Sequence, residues 1–81
     1  MTATTLAPKT RAAEVLAAWL TDAGWRQADL AREVGVHPAS VNDWMAGRTT
    51  PGLESVVKIA RITEGAVSPE MWFEKIDRIS T

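Results

Sequence analysis

Residues 24–51 read GWRQADLAREVGVHPASVNDWMAGRTTP, and this stretch decides the fold. Two short helices that meet across a tight turn make fixed demands on a sequence. The first helix needs an apolar inner face, supplied by Leu30 and Val34. The point of closest approach needs a small side chain, supplied by Ala31. The turn needs a residue that accepts positive φ, supplied by Gly35. Val36 plugs the core beside it, and the second helix points Val41 and Trp44 inward. A chance match to this template anywhere in a chain of this composition is on the order of 1%.

Working outward, the same reading extends to five short helices. Upstream, Thr10 is a plausible N-cap, and Ala12, Leu16, Trp19, Leu20 and Ala23 recur at helical steps on one face before Gly24 stops the run. The central pair spans Gln27 to Val34 and, opened by His37-Pro38, Pro38 to about Ala46. Thr49-Thr50-Pro51-Gly52 is a loop. A fourth helix carries Leu53, Val56, Val57 and Ala60 on one face, with Ile59 and Ile62 beside it, and ends before Gly65. Ser68-Pro69-Glu70 starts a fifth, which carries Trp72, Phe73, Ile76 and Ile79. Residues 1–8 show no periodicity and read as a flexible arm. Residues 9–81 then form one all-α domain.

Composition narrows the function. A chain of 81 residues has room for one core. With no Cys, a disulfide, a thiol nucleophile and a Cys-based zinc site are excluded, a single His argues against a His-rich metal site, and neither metal nor cofactor is expected. There is no nucleophile–base pair, no orienting carboxylate triad and no phosphate-binding glycine loop, so the chain does not read as an enzyme or a small-molecule binder. Hydrophobic residues at 46% and charged ones at 23% describe a globular chain. No apolar run is long enough for a membrane span and no apolar stretch follows a basic start, which predicts a cytoplasmic protein. Nine basic against ten acidic side chains leave a net charge of −1, low for a nucleic-acid binder. The imbalance sits at the end: residues 62–81 hold two basic and four acidic side chains.

The stretch resembles the Cro/repressor-type helix-turn-helix family of phage and prophage transcriptional regulators, a lambda-repressor-like fold. Gln27, Leu30-Ala31, Gly35-Val36, Val41, Trp44, Gly47 and Pro51 stand where that family has such residues, as do Ile59-Ala60 and the Gly65–Pro69 turn. The resemblance covers roughly residues 10–73. It implies a regulator, of the Cro-like repressor kind, that binds double-stranded DNA as a homodimer with the third helix in the major groove. The residues implied on the groove side are His37, Pro38, Ala39, Ser40, Asn42 and Asp43. Ala39 can pack on a thymine methyl, Asn42 can pair with adenine, and Asp43 can accept from a cytosine amine. Gln27 and Arg26 at the second helix, and Arg48 and Thr49 after the third, are the implied backbone contacts. Arg26 stands where relatives place a Ser or Thr N-cap, which predicts a weakly capped second helix.

Each of these has a plainer reading. Gly35 and Ala31 are geometry, and Trp19 and Trp44 are core. His37, Asn42 and Asp43 could be a solvated face. In the fifth helix Trp72, Phe73, Ile76 and Ile79 either cover the core or form the dimer interface, and a domain this small has difficulty hiding all four. The low charge and Asp43 also suit a second class of function, an antitoxin-type or auxiliary protein-interaction module on the same scaffold.

Overall fold

The computed structural model describes residues 10–73. Four α-helices follow in order: α1 (Arg11–Ala23), α2 (Gln27–Val34), α3 (Pro38–Ala46) and α4 (Leu53–Ile62). A short 3₁₀ helix, Pro69–Phe73, closes the described chain. The expected fifth α-helix is thus a single 3₁₀ turn over these residues, and the remainder of that expectation, with Ile76 and Ile79, lies outside the described residues, as does the arm. The start signal at Ser68-Pro69 does operate, with the Met71 N–H donating to the Ser68 carbonyl at 3.1 Å.

Local chemistry sets the boundaries of the first three helices. Thr10 Oγ1 accepts from the Ala13 N–H at 3.1 Å, satisfying one of the free donors at the start of α1. α2 is capped from inside: the Asp29 carboxylate accepts from the Arg26 N–H at 2.9 Å. An arginine side chain carries no acceptor, so only this reciprocal half of a capping box forms, and it removes the expected weakness at Arg26. α3 begins at His37, whose Nδ1 accepts from the Ala39 N–H at 3.2 Å.

The core is built from one stripe of each helix. Ala12, Leu16 and Leu20 of α1 meet Leu30, Ala31 and Val34 of α2, Val41 and Trp44 of α3, and Val56 and Ile59 of α4. Val67 and Trp72 complete it, and the 3₁₀ helix packs on α1 and α4. Trp72 is 2% exposed, and its ring meets Trp44 edge-on with centroids 6.3 Å apart. That placement corrects the expectation that Trp72 forms part of a dimer surface: its ring lies in the core, against Trp44 of α3. Phe73 points the other way, at 72% exposure. Trp19 is half-buried and packs edge-on against Trp25 at 5.3 Å, while Ala23, expected inward, is exposed.

The buried face of α4 also differs from expectation. Val56 and Ile59 are inward, but Leu53 is 79% and Val57 38% exposed. Thr63 is buried one turn beyond Ile59, on the same side. Its hydroxyl donates to the Ile59 carbonyl at 2.8 Å and accepts from the Val67 N–H at 3.1 Å. A buried threonine with both partners met costs little to bury and ties the end of α4 to the segment after it. Counting only apolar side chains left Thr63 out of the stripe and rotated the expected face toward Leu53 and Val57.

Candidate nucleic-acid interface

The reversal between α2 and α3 rests on Gly35, at φ 88°. Its N–H and that of Val36 both donate to the Ala31 carbonyl, at 2.8 and 2.9 Å. The left-handed backbone is what selects glycine here, because a Cβ at this position would meet nothing closer than Lys58 Nζ at 4.0 Å. Lys58 reaches across from α4 and donates to the Val34 carbonyl at 3.2 Å, bracing the last turn of α2. Nothing in the spacing of the chain marks that contact, since it joins residues 24 positions apart.

With Val41 and Trp44 buried against the core, α3 turns its opposite side outward. Pro38, Ala39 and Asn42 are exposed there, and Asp43 is half-exposed. Ser40, expected among them, sits half-buried at the margin. His37 is exposed beside the helix start. Because its Nδ1 accepts the Ala39 N–H, its ring proton sits on Nε2, which remains a donor.

The flanking residues sit at the start of α2 and after the end of α3. Arg26 and Gln27 mark the start of α2, Arg26 with an 86% exposed side chain and Gln27 half-buried. Arg48 and Thr49 follow α3 and are exposed. The positive charges are partly offset. Arg26 and Arg32 both approach Asp29, at 3.9 and 3.4 Å. Arg48 Nε donates to Asp43 Oδ1 at 2.9 Å. Exposed pairs of this kind contribute little to stability, about 0–1 kcal/mol each. Their larger effect is on the field, which is weaker at this face than a count of arginines suggests.

Several features bear on what the face can do. No cluster of potential metal ligands occurs among the described residues, and none of the helices described is long and apolar enough to cross a membrane. The arrangement offers a helix held rigidly by its buried side, with short polar side chains outward and guanidinium groups at its margins. Such a surface fits a groove lined with hydrogen-bonding edges and flanked by anions.

Comparison with known proteins agrees with this geometry. The solved structure of a transcriptional regulator from Listeria innocua has the same fold, with a TM-score of 0.65 at 22% identity over 76% of this chain and 56% of that one. This chain therefore spans a little over half the length of that protein. No curated protein matches it. The family described as Helix-turn-helix matches residues 16–68, a segment that runs from the middle of α1 through the turn at Gly35 to the end of the loop after α4. By that match the chain belongs to the Cro/C1-type helix-turn-helix family of DNA-binding domains.

Proposed function

We propose that this chain is a sequence-specific transcriptional regulator, of the Cro-like repressor kind found in phages and prophages, that binds a two-fold operator as a dimer. The observation that carries the reading is the outward face of α3, held by the burial of Val41 and Trp44 and free of large apolar side chains. In this reading α3 enters the major groove and presents Ala39 and Asn42 to base edges. Arg26 and Gln27 meet phosphates at the start of α2, with His37 Nε2 and Thr49 as further backbone donors. Exposed Phe73 supports a second copy that packs on the 3₁₀ helix, although Trp72 is not available to it.

A second reading keeps the scaffold and replaces DNA with a protein partner, as in an antitoxin-type or auxiliary factor. The net charge of −1, with Asp29 and Asp43 set against nearby arginines, favours it. The two readings part in a footprint of the chain on the DNA upstream of its own gene, taken over a salt series. A regulator protects two half-sites about 34–36 Å apart, with affinity falling as salt rises. Failure to bind any duplex at low salt overturns the DNA reading in favour of the protein-interaction module.

A further inference from the structure

Asp43 and Arg48 are five residues apart, yet the left-handed Gly47 between them brings the second back onto the helix of the first. The Arg48 N–H donates to the Asp43 carbonyl at 2.9 Å, and the Arg48 Nε donates to Asp43 Oδ1 at 2.9 Å. Asp43 lies one turn beyond Ala39, on the side of α3 opposite Val41 and Trp44. The backbone bond brings the Arg48 main chain back to the end of α3, and the side-chain bond places the guanidinium beside Asp43. The side chain remains 60% exposed, and with Nε engaged its two Nη groups carry no bond among the described residues.

We infer that Arg48 reads a guanine in the major groove through its Nη groups, and that Asp43 is the positioning residue that holds it there. The inference rests on the DNA-binding reading above. Guanine offers N7 and O6 as two acceptors on one edge, which matches the spacing of an arginine fork. A phosphate contact makes no use of the arrangement. A carboxylate 2.9 Å from the guanidinium offsets its attraction for the phosphate field, whereas a flexible, unpaired arginine at the loop tip would keep all of it. What Asp43 supplies is orientation, and orientation matters for a base edge. Arg48 thus acts in base readout, and Asp43 acts through it.

Selection from a random duplex pool with the full chain tests this. The wild type is expected to enrich one guanine per half-site, preferred about tenfold or more over other bases, that Arg48→Ala ceases to select while the other positions keep their preferences. Arg48→Lys keeps the charge and can still donate to guanine but lacks the planar fork that Asp43 orients, and is expected to weaken the same preference less than Arg48→Ala does. Asp43→Asn is expected to weaken preference at that position only, and to add nothing when combined with Arg48→Ala. Both side chains are exposed or half-exposed, so the melting curves of these variants should overlay the wild type. The inference is overturned if Arg48→Ala keeps every base preference and weakens all duplexes alike, with the salt slope reduced by about one, which is the behaviour of a phosphate contact. It falls together with the DNA-binding reading if the wild type enriches no sequence and binds no duplex.

Discussion

Val41→Asp is expected to leave the chain unfolded at room temperature. Val41 is fully buried between α3 and the rest of the core, at 0% exposure. A carboxylate placed there is set among apolar side chains, and a buried charge without a counter-charge costs several kcal/mol. The whole stability of a domain this small is on the order of 5 kcal/mol. Circular dichroism on the purified variant should show loss of helical signal without a cooperative melting transition. A melting curve that overlays the wild type would mean that Val41 faces solvent, and the outward face assigned to α3 would be wrong.

Trp72→Ala should cost about 3–5 kcal/mol, the penalty for removing a large ring from a packed core. Trp72 is 2% exposed and meets Trp44 edge-on, and such aromatic pairs add about 0.5–1.5 kcal/mol beyond their buried area. The loss should be the same at every protein concentration, because the contact lies within one chain. A variant that melts like the wild type when dilute but fails to self-associate when concentrated would return Trp72 to a dimer interface.

What could be read from the sequence, and what could not, follows from how far each contact reaches along the chain. The bounds of α1, α2 and α3 are set by neighbours a few residues apart: Thr10 with Ala13, Asp29 with Arg26, Gly35 with Ala31. Patterns of that range can be read in a single sequence, as at Thr10 and Gly35, whereas the cap from Asp29 was not read and α2 was expected to be weakly capped at Arg26. The inward positions Leu30, Ala31, Val34, Val41 and Trp44 were visible for the same reason, since the turn geometry fixes their spacing. The face of α4 was not, because it includes a buried threonine whose hydroxyl bonds both to Ile59 within the helix end and to the Val67 N–H beyond it, a polar residue that an apolar stripe omits. Trp72 was ambiguous because a stripe of apolar residues says that something is covered without saying by what. At the candidate site, the outward residues of α3 could be placed from periodicity, but the pairing of Asp43 with Arg48 could not. It depends on the chain reversal at Gly47, and taken singly the two residues read as an isolated acid and an isolated loop arginine.

Base readout by the outward face of α3 is tested at Asn42. Asn42 is exposed in the middle of that face, and its amide can pair with adenine N6 and N7. Equilibrium titrations of wild type and Asn42→Ala are to be made on the best-selected duplex and on random duplex at the same salt. Asn42→Ala should cost about 1–3 kcal/mol on the selected duplex and much less on the random one. Equal losses on the two duplexes, or none on either, would contradict the claim.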